Sequence, residues 1–97
     1  MFVILTSKPG QFRTELGEGL QPIEAYDYMF CGRKRAHFVI AELSHEVKIT
    51  IVDESSPPVV NHVASKFLPK FDTLEKARHE LQQLVRFGDM DIALVKL

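Results

Sequence analysis

The sequence predicts an α+β fold: an antiparallel sheet of about five strands, one amphipathic helix over residues 73–87 packed on one face, and a final strand. Three observations lead there. Short runs of strand-forming residues follow one another with turn signals between them. One segment near the C-terminus combines helical spacing with helix-end signals. A chain of 97 residues with 45% hydrophobic content allows a single domain, 1–97, with one core.

Residues 2–6 (Phe-Val-Ile-Leu-Thr) form an apolar run that Pro9-Gly10 ends. Its apolar residues fall on both faces, which predicts an interior strand. Residues 12–16 read as a short second strand before Gly17, Gly19 and Pro22 interrupt the chain. Residues 23–31, 35–43 and 47–52 are expected to run back and forth as a three-strand antiparallel meander, with turns at Gly32-Arg33-Lys34 and Ser44-His45-Glu46. Pro57-Pro58 cannot continue a ladder. Val59–Phe71 is open to two readings: Val59, Val60, Val63, Ala64, Phe67 and Leu68 fit a helical period, whereas the β-branched valines and Pro69 favour an extended or irregular cover. The second is preferred.

Asp72-Thr73-Leu74-Glu75 has the spacing of a capping box. Leu74, Ala77, Leu81, Leu84 and Val85 follow at helical spacing, with Arg86 in the last turn and Gly88 just beyond. Asp91–Leu97 reads as the last strand. The element order is therefore β-β-β-β-β-α-β, and the shared hydrophobicity of the two terminal strands places them side by side within the sheet.

The formal net charge is −1, and it is evenly spread: residues 1–50 hold six Lys/Arg and six Asp/Glu, residues 51–97 six and seven. That balance excludes nucleic-acid binding by bulk charge and leaves only a local patch. The single cysteine, Cys31, excludes an intramolecular disulfide and a multi-cysteine metal centre, and suits a reducing compartment. The N-terminal run lacks the basic flank and length of a signal peptide, and no stretch approaches a membrane span. A cytoplasmic protein without membrane contact is expected.

Arg33-Lys34-Arg35 is the one concentration of like charge. Alternation places Glu24, Tyr26, Tyr28 and Phe30 together on one face of the strand leading to it. Cations that grip phosphate beside aromatics that stack bases are the equipment of anion or single-stranded nucleic-acid binders. This makes Arg33, Lys34, Arg35, Tyr26 and Tyr28 candidate binding residues. The same residue types also suit an ordinary solvated hairpin, since aromatics are good strand formers and a basic turn discourages edge pairing.

His37, His45, His62 and His79 show no ligand spacing, and the acidic pairs Asp53-Glu54 and Asp89-x-Asp91 lack a surrounding calcium loop, so no metal or other cofactor is expected. No nucleophile elbow, phosphate loop or dinucleotide fingerprint is present, and no catalytic residue is assigned. A Cys31/His37 pair across the hairpin would be the one enzymatic option.

Strands 2–6 and 35–43 are apolar on both faces, and one helix covers one face of a sheet. Segment 57–71, a second copy of the chain or another protein must cover the other. Tyr26, Tyr28 and Phe30 offer a contact surface. Two functions are consistent with this. The first is a non-enzymatic binding or accessory module acting by protein–protein contact, a homodimer being one form. The second is an anion or single-stranded nucleic-acid binder at the hairpin tip.

Overall fold

A computed structural model describes residues 1–84 and 92–97. The class is α+β, with seven strands in two antiparallel sheets and one α-helix among the described residues. The strands are β1 (Phe2–Ser7), β2 (Phe12–Glu15), β3 (Leu20–Phe30), β4 (Arg33–Leu43), β5 (Lys48–Asp53), β6 (Val59–Ala64) and β7 (Ile92–Lys96); α1 spans Leu74–Leu84. The first sheet has the order β1-β4-β3-β7 and the second β2-β5-β6.

The single sheet of about five strands is thus corrected to two sheets, and the meander to a hairpin. β3 and β4 pair as expected, but β5 does not pair with β4. The reason is competition for β4's second edge. β1 occupies it over six residues, from Phe2 opposite Glu42 to Ser7 opposite His37. β5 pairs instead with β2 and β6.

β1 and β7 lie at opposite edges of the first sheet, which overturns their expected adjacency and the interior position of β1. β1 tolerates apolar residues on both faces because it is covered on both faces. Its outer edge is also engaged. Phe2 N–H donates to Phe71 O (2.7 Å), Phe71 N–H donates back to Phe2 O (2.9 Å), and Thr14 Oγ1 donates to Thr6 O (2.5 Å).

The hairpin turn is one step earlier than the residue types implied. Phe30 pairs with Arg33, so Cys31-Gly32 make the turn, both with positive φ (50° and 77°). That is the two-residue geometry whose twist matches antiparallel strands, and it demands a residue such as glycine at the second position. The basic run therefore begins β4 rather than capping it. Upstream, Gly19 (φ 86°) lies so close to the β4–β5 connection that a Cβ there would approach Val47 Cγ1 to 2.6 Å. Pro22 sits where β3 has no β7 partner, the edge position a missing N–H requires.

Segment 57–71 forms β6 and a 3-10 turn (Ser65–Phe67), so its valines are strand residues after all. The helix also starts one residue later than the capping box implied. Thr73 Oγ1 accepts Lys76 N–H at 3.1 Å, and the first i→i−4 bond runs from Ala77 N–H to Thr73 O. Thr73 is the N-cap. Asp72 pairs with Lys76, and Glu75 with Arg78. The expected helix positions 85–87, with Arg86 and the Gly88 cap, lie outside the described residues, as do Asp89 and Asp91.

Side-chain alternation divides the first sheet into two faces, one bearing α1 and the other covered over β1 and β4. Ala36, Phe38 and Ile40 pack against Ala77 and Leu81 of α1, with Phe2, Ile4, Tyr26, Tyr28 and Leu94 around them. Val3, Leu5, Ala41 and Leu43 face the other way, against Leu20, Ile49, Val47 and Leu68. Full burial of a side chain such as Ile40 or Leu81 stabilises the fold by roughly 2 kcal/mol. The chain supplies its own second cover over β1 and β4, mainly from β5 and the segment after β6.

Candidate functional site

The helix-bearing face of the first sheet is built in rows, because residues paired across antiparallel strands point the same way. One row is Thr6, Phe38, Tyr26 and Lys96. The next, towards the hairpin, holds Ala36, Tyr28 and Leu94, with Lys8 extending the same side of β1.

At the first row and beyond it, Glu24 is the organising group. Its side chain is 5% exposed. Arg78 grips it with two donors, Nε to Oε1 at 2.6 Å and Nη2 to Oε2 at 2.9 Å, and Lys96 Nζ lies 2.5 Å from Oε2. Tyr26 donates its hydroxyl to Oε1 at 3.2 Å. The Arg78 bonds, then the Lys96 bond, hold the Glu24 carboxyl down at about 2. Burial, then the adjacent Glu24 charge, pushes the Tyr26 hydroxyl up, and the bond to Glu24 raises Lys96. The cluster ties β3, α1 and β7 together. Its charges are satisfied by one another, which is the arrangement of a structural tie.

The second row is different. A cleft of about 360 Å³ opens beside it, lined by Lys8, Gln11, Tyr28, Arg35, Ala36, Phe38 and Leu84. Three features of the chain produce it. Ala36 is small and sits where its neighbours along β4 on this face, Phe38 and Ile40, are large. The tight Lys8–Phe12 turn, closed by Gln11 N–H to Lys8 O at 3.0 Å, brings Lys8 and Gln11 to one rim. A β-bulge, in which Tyr28 pairs with Ala36 but Met29 with Lys34, leaves Arg35 unpaired and brings it to the same cleft as Ala36. Tyr28 is fixed edge-on to Phe38, with ring centroids 6.5 Å apart at 78°. Neither Lys8 nor Arg35 makes an ion pair among the described residues.

The candidate residues of the hairpin are thus divided. Arg35 and Tyr28 meet in the cleft, and Lys8 and Gln11 join them. Tyr26 points its hydroxyl to Glu24. Lys34 lies on the opposite face, 3.2 Å from Asp27 Oδ1, where His37 Nδ1 also approaches to 2.9 Å. The His37 contact, then Lys34, holds the Asp27 carboxyl below its usual range. Arg33 is exposed beside the turn, opposite Phe30. Tyr26 and Tyr28 are half-buried against the helix cluster.

Cys31 is exposed in the turn, and His37 pairs with Asp27 further along the ladder. The register therefore does not bring these two together. Among the described residues no three His, Cys, Asp or Glu side chains gather as metal ligands, and no helix is long and apolar enough to cross a membrane.

Two other regions have built-in chemistry. A hollow of about 160 Å³ between the sheets is lined by apolar side chains and by Thr6 and Thr14. Thr14 Oγ1 is already bonded to Thr6 O, so the hollow has little to recognise a polar ligand. Ser65, fully buried, donates to Glu46 Oε2 at 2.6 Å and accepts Val47 N–H at 2.9 Å, while Lys70 Nζ lies 3.1 Å from Glu46 Oε1. These bonds fasten the 3-10 turn to the β4–β5 connection.

The open side of the first sheet lies at β7. The second sheet covers β1 and β4, and on the same face beside β3 the residues Val95 and Leu97 are 46% and 67% exposed. Ile23, at a second bulge, is exposed as well. Among the described residues β7 pairs with β3 alone.

No family model matches the chain, and no curated protein and no solved structure matches it either.

Proposed function

We propose that the protein is a small non-enzymatic binding module that acts through protein–protein contact, with a second copy of the chain as the partner at β7. The observation that supports this is an edge strand with apolar residues exposed beside it, on the sheet face that β5 and β6 leave open. Unprotected edges invite pairing, and proteins usually blunt them with an outward lysine. β7 carries such a lysine, Lys96, but Glu24 holds it on the helix side. Antiparallel pairing of two β7 strands about a two-fold axis would continue the sheet and join the two Val95–Leu97 surfaces. The contact surface proposed is therefore opposite the Tyr26-Tyr28-Phe30 stripe, two of whose members pack against α1.

Light scattering across a wide concentration range tests the reading, with Val95→Glu as the variant. A dimer that Val95→Glu converts to a monomer that is still folded, as read by circular dichroism, is the expected result. A monomer at every concentration overturns it.

A further inference from the structure

We infer that the cleft between the Lys8–Phe12 turn, the β4 bulge and the end of α1 is a binding site for a small phosphate monoester carrying a flat ring, of nucleoside monophosphate size. Its polar rim has Lys8 and Arg35 with the Gln11 amide between apolar walls from Tyr28, Phe38 and Leu84. Guanidinium and ammonium groups are the side chains that hold phosphate, the first as a fork and the second as a point charge. Among the described residues, Arg78 and Lys96 are committed to Glu24 and Lys76 to Asp72, while Arg33, exposed beside the turn, lies outside the lining of the cleft. Lys8 and Arg35 line this hollow and, among the described residues, make no ion pair with a carboxylate. Glu80, the nearest acidic group on α1 in this region, lines the adjoining hollow with Ile4, Thr6 and Phe71 instead.

The volume sets the ligand class. About 360 Å³ lies at the small end of ligand pockets. It is far larger than a bare phosphate needs, and the surplus is bounded by two aromatic rings and a leucine. Among the described residues its lining holds two cations only: Lys34, next along β4, is paired with Asp27 on the other face, and Arg33 lies beside the turn, outside the cleft. A single mononucleotide matches this outline, and a long strand does not.

One opposing effect is built in. α1 directs the negative end of its dipole towards this side. The competing role for Lys8 and Arg35 is to neutralise that end. The two roles differ in what the cations do when a ligand is offered.

The test is a titration of the whole chain with AMP, adenosine and inorganic phosphate, followed by backbone amide shifts. AMP should produce saturable shifts at Lys8, Gln11, Tyr28, Arg35 and Ala36. Adenosine should produce none, and phosphate should bind more weakly than AMP. Lys8→Ala and Arg35→Ala should each weaken AMP roughly tenfold, the loss expected for one charge-assisted hydrogen bond. Added salt should weaken it further. The double variant should keep its fold, read from its melting temperature.

Absence of saturable shifts with AMP overturns the assignment and leaves the cations to the helix end. Equal affinity for phosphate and AMP, or affinity that grows with oligonucleotide length, overturns the ligand class. Val95→Glu lies on the other face and should leave AMP binding unchanged, so failure of the β7 contact and failure of this site are separable.

Discussion

The two ends of one sheet face handle charge in opposite ways. At the β3–β7 end, Glu24, Arg78 and Lys96 converge with one another and with Tyr26, and the carboxylate is almost wholly buried. At the hairpin end, Lys8 and Arg35 border a cleft and have no acidic partner among the described residues. Removing one member of a satisfied buried cluster leaves the others uncompensated, so such a cluster is a stability element. Unpartnered cations at an opening contribute little to folding and remain available to a ligand. The comparison teaches that charge at equal density along a chain has different consequences according to whether register supplies a counter-charge.

The largest effect expected from this contrast is at Glu24. Glu24→Gln removes the counter-charge of both Arg78 and Lys96 and should cost about 3 kcal/mol. Thermal unfolding should show Tm falling by more than about 10 °C. A change within experimental error would erase the distinction between the two ends.

Acid unfolding gives nearly as large an effect with a defined sign. The Glu24 carboxyl is depressed from 4.5 to about 2 in the folded chain. A depressed pKa contributes stability that is complete above the unfolded value and is lost as pH falls through the folded one. Stability should therefore decline between about pH 5 and pH 2, with roughly 3 kcal/mol from this group. Asp27, also depressed, adds to the loss in the same direction. Glu24→Gln should flatten the decline, as measured by denaturant unfolding at a series of pH values.

Ser65→Ala tests whether a buried hydroxyl that holds a half-exposed Glu46–Lys70 pair matters as much as the buried carboxylate. It leaves Val47 N–H without its acceptor, and the expected cost is about 2 kcal/mol by chemical denaturation. The smallest effect belongs to the hairpin end. Lys8→Ala and Arg35→Ala should each change stability by less than about 0.5 kcal/mol, since they break no ion pair among the described residues. A cost comparable with that of Ser65→Ala would mean that these cations hold the fold together.

What the sequence made legible follows the range of each interaction. The helix was readable because cap, spacing and charge all act within a few residues, although the cap fell on Thr73 rather than Asp72. The β3–β4 hairpin was readable because its strands adjoin. The second sheet was not. Alternation says which face a strand buries but never which strand it meets, and β4's choice of β1 over β5 is a competition between distant segments.

The site divides the same way. Arg35 and Tyr28 were visible from local charge and alternation. Lys8 carried a weaker signal, the even-numbered series Phe2, Ile4, Thr6, Lys8 on one face of β1. The bulge that brings Arg35 to the cleft has no signature in composition. The Glu24–Arg78 pair spans 54 residues. Its one local trace was a glutamate in step with Tyr26 and Tyr28 on an apolar face, a charge that burial obliges to find partners.

The central claim is the contact at β7, and amide exchange reads it directly. Leu97 N–H donates to Ala25 O, so alternation along an antiparallel ladder turns the N–H groups of Leu94 and Lys96 outward, to the edge that pairs with no strand among the described residues. The account predicts that protection of Leu94 and Lys96 rises with protein concentration, while that of Val95 and Leu97, bonded to β3, changes little. Rapid exchange of Leu94 and Lys96 at every concentration would contradict it.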